Sequence, residues 1–451
     1  MATALIILAA GEGSRMLSDA PKVLHELAGA PLLAHAIASG SALEPERVVV
    51  VTGHGSEQVA AAAREIDPDI RIAVQSEQLG TGHAVAQATA EMDGFTGDVV
   101  VLYGDTPLIR PETLAQVQAA RETGADLVVL GFDAADPARY GRLVADGDTL
   151  ERIVEYKDAT EAERAITLCN SGIMLADATR MLDWIGRLGN DNASGEYYLT
   201  DIVEIARADG AQARVVTCPE AETLGVNTRA DLAYAEAAFQ ARARGEALDN
   251  GVTLTAPETV FFAADTVIGR DAVIEPNVVF GSGVTVETGA RIRAFSHLEG
   301  CHVARGAVVG PYARLRPGAE LAEGAKIGNF VEVKNALIAE GAKVNHLSYI
   351  GDAEIGAAAN IGAGTITCNY DGVFKHKTRI GSRAFIGSNT MLVAPVTIGN
   401  DAMTGCGSVV TEDVPDEALA IARSRQVTKP GLAKRMMDRL KALKAKQKKD
   451  G

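Results

Sequence analysis

The sequence has few cysteines, and their arrangement suggests neither a disulfide framework nor a zinc site. Five are scattered among 451 residues, and no two form a Cys-x-x-Cys pair. Disulfide scaffolds and structural zinc sites both rely on cysteines at regular spacings. We therefore expect free thiols and a cytoplasmic protein. The five are Cys169, Cys218, Cys301, Cys368 and Cys406.

Long apolar runs and an excess of positive charge are also missing. No stretch approaches the roughly 18 apolar residues that span a bilayer, and no charged segment precedes the apolar run Ala4–Leu8. We expect no membrane insertion and interpret that run as a buried strand. The formal net charge of -16 argues against a nucleic-acid-binding protein. An anionic substrate must therefore be met by local cations or a metal ion.

What the sequence does contain is a six-residue repeat. From Ile268 to Val410 an apolar residue recurs at every sixth position, with three one-residue skips and a longer gap before Ile380. Only Thr367 and Thr404 break the apolar pattern. Neither an α-helix nor a single strand has this period. It predicts a parallel β-helix, in which each coil buries its apolar face against the next coil.

The first half of the chain has a different pattern. Up to about residue 230, short apolar runs alternate with helical segments, which predicts a mostly parallel sheet covered by helices. Ligands of such sheets bind beyond the carboxyl ends of the strands. The predicted strands are Ala4–Ala10, Arg47–Thr52, Ile70–Gln75, Val99–Tyr103 and Leu127–Phe132.

Two strand ends carry candidate binding residues. After the first strand, Gly11 and Gly13 allow backbone N–H groups to approach a phosphate, and Arg15 and Lys22 add positive charge. The third glycine of a dinucleotide fingerprint is absent, and no Walker lysine follows. After another strand, Asp105 is a natural ligand for Mg²⁺. The alternatives are that Gly11 and Gly13 merely form a tight turn and that Asp105 merely caps a turn.

The second half contains polar clusters that a β-helix core does not require. They are Arg314–Gly318, Asn329–Lys334, Asn345–Tyr349 and the gap-filling loop Cys368–Lys377. Loops that leave a rigid repeat often carry function. The six-residue repeat resembles that of the left-handed hexapeptide-repeat acyltransferases, and acyl transfer to an amine needs a base such as histidine. The candidates in this half are His297, His302, His346 and His376. The polar neighbours of His346 favour it modestly, with His376 as the rival.

Several segments together carry a family resemblance. The loop Leu8–Met16 with Lys22, the run Gln78–His83 after Gln75, and Tyr103–Asp105 resemble the sugar-phosphate nucleotidyltransferases. Further segments narrow the match: Tyr140–Arg142, Ile153–Glu155, Asn170–Gly172, Gly195–Asp201 and Gly225–Asn227. With the repeats that follow, the chain resembles, essentially from end to end, the bifunctional N-acetylglucosamine-1-phosphate uridyltransferase / glucosamine-1-phosphate N-acetyltransferase family.

The resemblance implies an α/β chain of three parts. Residues 1–228 would form a Rossmann-like nucleotidyltransferase domain with a mostly parallel sheet, and residues 229–250 a linker helix, which their Ala-rich and charged composition also predicts. Residues 251–451 would form a left-handed parallel β-helix for N-acetyl transfer, with a basic C-terminal tail. That tail, from Leu432 to Lys449, has the pattern of an amphipathic helix. A homotrimer is implied, with acetyltransferase sites between neighbouring β-helices.

The implied chemistry is a two-step synthesis of UDP-N-acetylglucosamine for the bacterial envelope. Acetyl-CoA would acetylate glucosamine-1-phosphate, and N-acetylglucosamine-1-phosphate would then attack UTP and release pyrophosphate, with Mg²⁺ as the metal.

The resemblance assigns binding roles in the first half residue by residue. Arg15 and Lys22 would hold the triphosphate and neutralise its charge. Leu8, Ala9, Ala10 and Gly11 would also hold the triphosphate. Gln75, Gly80 and Thr81 would contact the uracil and ribose, and Gly141, Glu155 and Asn170 would bind the amino sugar. Tyr103, Gly104, Asp105 and Asn227 would contact the substrates as well. Asp105 and Asn227 would also coordinate Mg²⁺.

In the second half it implies His346 as the catalytic base, with Glu332 assisting. Arg316 and Lys334 would bind the phosphate of glucosamine-1-phosphate, and Tyr349, Asn360 and Lys375 would hold the sugar. Acetyl-CoA would contact Ala363, Asn369, Tyr370, Ser388, Cys406 and Arg423. Cys406 stands where enterobacterial members have Ala, and we expect it to contact CoA through its backbone.

Two other functions are compatible with the pattern. The β-helix could be an oligomerising platform on a monofunctional sugar-phosphate nucleotidyltransferase, although a platform has no need of the polar set around His346. Alternatively, the chain could be a non-catalytic repeat scaffold, which would release no pyrophosphate from UTP.

Overall fold

The computed structural model describes residues 2–447, which divide into two compact units. The first contains the chain up to Ile268 together with Val279–Val284, and the second contains Gly269–Val278 together with the residues from Thr285 onward. The linker helix and the earliest hexapeptide residues thus pack within the first unit. The compact units therefore divide the chain later than the domains that the resemblance implies.

A nine-stranded sheet forms the centre of the first unit, in the order β5-β4-β1-β6-β10-β7-β11-β9-β8. Its strands and the short hairpin β2–β3 are β1 Thr3–Ala9, β2 Glu26–Leu27, β3 Ala30–Pro31, β4 Arg47–Thr52, β5 Arg71–Val74, β6 Asp98–Tyr103, β7 Leu127–Asp133, β8 Arg142–Asp146, β9 Thr149–Val154, β10 Leu168–Asp177 and β11 Ala213–Thr217. The helices are α1 Leu32–Ser41, α2 Ser56–Ile66, α3 Thr81–Gln87, α4 Pro111–Glu122, α5 Glu161–Arg164, α6 Ala178–Gly186, α7 Ile202–Ala208 and α8 Arg229–Asp249.

Seven of the nine strands run in the same direction, and the central strands β1 and β6 are buried on both faces. Every residue of β1 is buried, and its alternate side chains enter two separate cores, with Leu5 and Ile7 on one side and Ile6 on the other. Burial on both faces requires helices on both sides of the sheet. Two strands run antiparallel to their neighbours: β10 between β6 and β7, and β9 between β11 and β8.

The register places the ends of β1 and β6 side by side. Both strands are parallel, and Leu8 pairs with Tyr103. The Gly104 backbone N–H then donates to the Leu8 carbonyl at 2.9 Å. The loops that follow these two strands therefore leave the same edge of the sheet.

The predicted linker helix is α8, which begins after a capping box. The Thr228 side chain accepts from the Asp231 N–H, and the Asp231 carboxylate accepts from the Thr228 N–H at 2.8 Å. Ala235 and Phe239 of this helix pack in a core with Met16 and Leu108. The helix thereby stabilises the loop that follows β1.

The hexapeptide repeat forms a left-handed parallel β-helix, as predicted. Successive repeat residues stack in register, as in the pairs Ile292 with Val309 and Val309 with Ile327. From Ile274 onward the repeat residues are all buried.

The second half is built from short strands. They are β12 Thr253–Leu254, β13 Val267–Ile268, β14 Val273–Ile274, β15 Val279–Phe280, β16 Thr285–Val286, β17 Arg291–Ile292, β18 His297–Leu298, β19 Cys301–Val303, β20 Val308–Val309, β21 Arg314–Leu315, β22 Ala319–Leu321, β23 Lys326–Asn329, β24 Glu332–Ile338, β25 Lys343–His346, β26 Tyr349–Ile355, β27 Asn360–Ile361, β28 Ile366–Cys368, β29 Thr378–Ile380, β30 Phe385–Ile386, β31 Met391–Val393, β32 Val396–Ile398, β33 Met403–Thr404, β34 Val409–Val410 and β35 Leu419–Ala420.

After the β-helix, α9 Leu432–Gln447 forms the predicted C-terminal helix, and its residues are exposed or partly exposed. The tail lysines Lys448 and Lys449 lie outside the described residues. Within residues 2–447, no helix combines the length and the apolar character needed to cross a membrane.

Candidate active sites

A cavity of about 280 Å³ lies at the edge of the sheet where β1 and β6 end. It brings together ten of the residues that the resemblance assigns to substrates, from segments up to about 100 positions apart. Its lining is Leu8, Ala9, Ala10, Gly11, Lys22, Val23, Gln75, Gln78, Gly80, Thr81, Ala84, Tyr103, Asp105 and Glu196. Of these, Val23, Gln78, Ala84 and Glu196 are additions to the predicted set. Gln78 and Glu196 lie within segments that carry the family resemblance, so those motifs could have identified both as lining residues.

Gly13 allows the loop after β1 to fold back over Lys22. Its φ is +65°, and a Cβ built there would lie 2.6 Å from the Lys22 Cβ. A side chain at this position would displace Lys22 in addition to straining the backbone. The glycine therefore has a packing reason as well as the predicted role of exposing backbone N–H groups.

Lys22 is the centre of a charged cluster at the cavity. Its ammonium group donates to Asp105 Oδ2 and, at 3.1 Å, to Asn227 Oδ1. Arg15 also donates to Asn227 Oδ1, at 2.9 Å. The Asn227 N–H is bound to the Asp231 carboxylate at 3.0 Å, which holds this residue at the start of α8. One cation thus joins two oxygens that belong to segments far apart in the sequence.

This donor set fits a magnesium ion. Mg²⁺ takes oxygen ligands, usually one or two from the protein, and completes its octahedron with water and substrate phosphates. The Asp105 carboxylate and the Asn227 amide oxygen already share one cation, Lys22. Within residues 2–447 no group of three or more His, Cys, Asp or Glu side chains could hold a metal. These residues therefore suit an ion that relies on its substrate for further ligands.

Gln75, which also lines the cavity, has a fixed orientation. Its Nε2 atom lies 3.1 Å from the Gly80 carbonyl and 3.1 Å from His83 Nδ1. Because a carbonyl only accepts, the amide nitrogen must face it, and the Gln75 oxygen remains as an acceptor. His83 is a further positioning contact outside the predicted set.

Gly80 and Gly82 allow the segment around Tyr197 to pack against the start of α3. The Gly82 N–H donates to the Tyr197 carbonyl at 2.8 Å, and a Cβ at Gly80 would lie 2.6 Å from that carbonyl oxygen. The Leu199 N–H donates to the Thr81 hydroxyl at 3.1 Å. The motif residues Gln78–His83 and Gly195–Asp201 therefore form one packed unit.

The predicted amino-sugar residues also lie together. The Asn170 N–H donates to the Gly141 carbonyl at 2.9 Å, and a Cβ at Gly141 would lie 3.4 Å from Glu155 Oε1. Thr200 donates to Glu155 at 3.2 Å. Burial raises the pKa of Glu155, and burial with nearby acidic groups raises the pKa of Asp201 to about 6. Thr200 and Asp201 are additions to the predicted set from a motif segment.

In the second unit, β-helix stacking aligns the predicted phosphate-binding residues. Arg316 donates to Glu332 at 2.8 Å, and Glu332 pairs in register with Tyr349 on the next coil. Lys334 faces Lys375 of the loop, and this facing ammonium group lowers the pKa of Lys334. An anion bound between the two ammonium groups would relieve their repulsion.

His346 is exposed, and its Nδ1 lies 2.7 Å from Asn329 Oδ1 on the preceding coil. If that amide oxygen is the acceptor, Nδ1 carries the proton and Nε2 is left as the basic atom. His376, the rival base, instead binds the Asp371 carboxylate at 2.7 Å within its own loop. Glu332 contacts Arg316, and no hydrogen bond in the described part of the chain joins it to His346.

The predicted acetyl-CoA residues follow the β-helix along successive coils. The Asn389 N–H donates to the Ala363 carbonyl at 2.7 Å, and the Gly407 N–H donates to the Ser388 carbonyl at 2.8 Å. Ala363, Ser388 and Cys406 therefore lie at the same corner. Asn369 is buried, whereas Tyr370, Cys406 and Arg423 are exposed.

Asn360 lies apart from the phosphate residues. It pairs in register with Lys343 in the ten-stranded sheet of the β-helix, whereas Glu332 and Tyr349 belong to the fourteen-stranded sheet. The predicted sugar-binding set is therefore divided between two faces of one chain.

Comparisons with known proteins match both halves. A family model described as the MobA-like NTP transferase domain matches residues 5–170, and one described as bacterial transferase hexapeptide (six repeats) matches residues 265–300 and 377–412. The bifunctional protein GlmU of Ruegeria sp. (strain TM1040) is 68% identical over 445 residues, or 99% of each chain. GlmU of Dinoroseobacter shibae is 67% identical with the same coverage. GlmU of Ruegeria pomeroyi is 67% identical over 450 residues, or 100% of each chain.

Relatives of this identity and coverage establish the family. They confirm the prediction of an enzyme with two transferase activities, and they do not support a monofunctional nucleotidyltransferase or a non-catalytic scaffold. The chain belongs to the GlmU family of bifunctional proteins, which carry out the acetyl transfer and the uridylyl transfer that produce UDP-N-acetylglucosamine.

Proposed function

We propose that the cavity at the ends of β1 and β6 is the uridyltransferase site and that the polar clusters of the β-helix form the acetyltransferase site. In this assignment residues 1–228 are the nucleotidyltransferase domain, residues 229–250 the linker helix and residues 251–451 the acetyltransferase domain. The observation that carries the first assignment is the contact of Lys22 with both Asp105 and Asn227 beside the backbone loop that follows β1.

In uridylyl transfer, Arg15 and Lys22 neutralise the triphosphate of UTP, while backbone N–H groups of the loop Leu8–Gly11 orient it. Gln75 presents its oxygen to the imide N–H of uracil, because its nitrogen is already used by Gly80 and His83. Mg²⁺ held by Asp105 and Asn227 supplies charge neutralisation at the phosphates when it is bound. The oxygen of the sugar phosphate attacks the α-phosphorus and pyrophosphate leaves, so positioning provides most of the catalysis.

In acetyl transfer, Arg316, Lys334 and Lys375 bind the phosphate of glucosamine-1-phosphate. His346 Nε2 takes the ammonium proton, since Asn329 holds its Nδ1–H. The free amine forms a bond to the acetyl carbon, the carbon–sulfur bond breaks, and CoA leaves. Ala363, Asn369, Tyr370, Ser388, Cys406 and Arg423 contact the CoA.

We also propose a homotrimer in the cytoplasm. The five free cysteines support a reducing location. An aromatic ladder at one corner of the β-helix, made of Phe295, Tyr312 and Phe330, supports the assembly. Its rings stack at centroid distances of 4.9 and 5.3 Å, and each residue is 47–56% exposed. Exposed contiguous apolar groups of this kind mark interaction sites. A neighbouring chain would also bring Asn360 to the phosphate-binding face.

A coupled assay on one preparation tests the two assignments. Glucosamine-1-phosphate and acetyl-CoA should release CoA thiol, and UTP with N-acetylglucosamine-1-phosphate should release pyrophosphate only when Mg²⁺ is present. Pyrophosphate release that is unchanged by chelation would reject the metal. Absence of CoA release would reject the acetyltransferase site.

A further inference from the structure

A buried carboxylate lies at a corner of the β-helix beside the lysines of the proposed acetyltransferase site. Asp352, in β26, is 9% exposed and has a φ of +47°. The same corner is occupied by Gly318 and Asn335 on the two preceding coils, both also with positive φ. Glycine and asparagine satisfy this backbone conformation without charge. The corner therefore does not explain why a carboxylate is buried there.

Both oxygens of Asp352 accept hydrogen bonds from side-chain amides. Asn335 Nδ2 donates to Oδ1 at 2.6 Å, and Asn369 Nδ2 donates to Oδ2. Asn335 belongs to the preceding coil, whereas Asn369 stands at the base of the loop Cys368–Lys377. Asp352 thus ties that loop, which carries Tyr370 and Lys375, to the stack of coils.

The carboxylate also balances a cluster of positive charge. Lys334 is faced by Lys375, Arg316 and Asp352, so Asp352 is the negative partner among them. Burial alone would raise the pKa of Asp352, but the two amide donors and the two lysines hold it below its usual value. The carboxylate is therefore charged at neutral pH.

The same groups line a cavity of about 370 Å³. Asn335, Asp352 and Lys375 stand on its wall with the charged or titratable groups Glu320, Glu354, His376 and Lys377. Glu354 is already paired with Lys377 and Arg379. Glu320 lies 3.4 Å from His302, and Asp352 is the carboxylate whose pKa both Lys334 and Lys375 lower.

We propose that Asp352 is a positioning residue for acetyl transfer, whose carboxylate holds Lys334 and Lys375 together around the phosphate of glucosamine-1-phosphate and fixes Asn369 at the base of the CoA-binding loop. This inference rests on the proposed acetyltransferase site. Asp352 itself touches neither the amine nor the thioester, so it acts through its neighbours.

The variant Asp352→Asn tests the proposal, because asparagine tolerates the positive φ, removes the charge and replaces one acceptor oxygen with an NH2 donor. The KM for glucosamine-1-phosphate should rise at least about tenfold, the order of effect for a lost charge-assisted hydrogen bond, with a smaller change in kcat. The alkaline limb of kcat/KM for acetyl transfer should move to lower pH, because Lys334 and Lys375 lose their negative partner.

Two further variants separate charge from architecture. Asn335→Gly keeps the Asp352 carboxylate, and glycine tolerates the positive φ of this position. The alkaline limb of kcat/KM for this variant should therefore stay at the wild-type pH. Asp401→Asn changes another corner aspartate with positive φ, which is paired with Arg383 away from this cluster, and should change neither KM nor the pH profile. Uridylyl transfer and the melting temperature serve as folding measurements for all three.

The outcomes are distinct. A raised KM together with a shifted alkaline limb in Asp352→Asn alone supports the proposal. Wild-type KM and pH profile in that variant, or an equal loss of both activities with no shift, overturns it. If the wild-type protein releases no CoA, the proposed acetyltransferase site fails, and this inference fails with it.

Discussion

At the residue scale, Asp105 is proposed to serve uridylyl transfer and to have no part in acetyl transfer. Its carboxylate lies at the end of β6 and is bound by Lys22. The residues proposed for acetyl transfer belong to the other compact unit. A change at Asp105 should therefore act on uridylyl transfer alone.

We expect Asp105→Ala to reduce Mg²⁺-dependent uridylyl transfer by at least about 10²-fold, as expected when a site loses a major electrostatic group, while CoA release stays at the wild-type rate. Steady-state rates of both half reactions measure this. Asp133→Asn is the matched control, since Asp133 is an exposed carboxylate at the end of β7. Retained Mg²⁺-dependent turnover in Asp105→Ala would remove Asp105 from the ligand set.

His346 provides the reciprocal test. Its Nδ1 contact with Asn329 leaves Nε2 as a base, so His346→Ala should slow acetyl transfer by roughly 10²–10⁴-fold and spare uridylyl transfer. His297→Ala is the control, because His297 is another exposed histidine of the β-helix. If His346→Ala loses both activities equally, or neither, the assignment of His346 as base is wrong.

At the scale of the element, the two polar exceptions in the repeat have a structural reason. Thr367 and Thr404 are 1% and 3% exposed, so they occupy core positions as the period predicts. The Thr367 hydroxyl accepts from the Gly351 N–H at 2.8 Å, and Thr404 accepts from the Gly387 N–H at 3.0 Å. Each hydroxyl satisfies a buried backbone donor.

The substitution Thr367→Val should therefore destabilise the β-helix, although valine has the same shape and is more apolar. It leaves the Gly351 N–H buried without its acceptor, which costs about 1–3 kcal/mol in the free energy of unfolding. Urea denaturation followed by circular dichroism measures the change. Val344→Thr, the opposite exchange at an apolar repeat position, should also destabilise, since it buries a hydroxyl. A more stable Thr367→Val protein would show that the hydroxyl has no such role.

Much of the fold follows from the sequence because the signals are local. The period of six fixes which side chains enter the β-helix core, and β1, β4 and β6 were predicted from their apolar runs to within a residue or two. The antiparallel insertion of β10 between β6 and β7 has no local signal. It depends on how distant segments compete for sheet neighbours.

Contacts in the candidate sites likewise differ in whether a local sequence signal predicts them. The contact of His346 with Asn329 joins residues 17 positions apart, one coil of the β-helix, and follows from stacking. The contact of Lys22 with Asn227 joins residues 205 positions apart, which a single sequence does not indicate without a family pattern. Asp352 was absent from the predicted set because its role depends on Asn335 and Asn369, and corner positions often carry aspartate for backbone reasons alone.

At the scale of the whole molecule, the two activities differ in what they require of assembly. The proposed uridyltransferase cavity is lined entirely by residues of one unit of a single chain. The proposed sugar-binding set of the acetyltransferase is divided between two sheets of the β-helix. Dissociation should therefore abolish acetyl transfer and spare uridylyl transfer.

The aromatic ladder gives the means to test this dependence. Tyr312 stacks between Phe295 and Phe330 and is 47% exposed, so Tyr312→Lys places a charge in the middle of the proposed subunit contact. Loss of one such anchor typically costs at least about 2 kcal/mol of binding, and sedimentation at low protein concentration should shift from the trimer toward the 47.0 kDa chain. Acetyl transfer should fall with the trimer fraction.

Leu337→Lys, at a site 49% exposed on a different strand face, should leave the trimer intact. A trimeric Tyr312→Lys protein would show that the ladder is not the contact, and a monomeric wild type with full acetyl transfer would show that one chain completes the site alone.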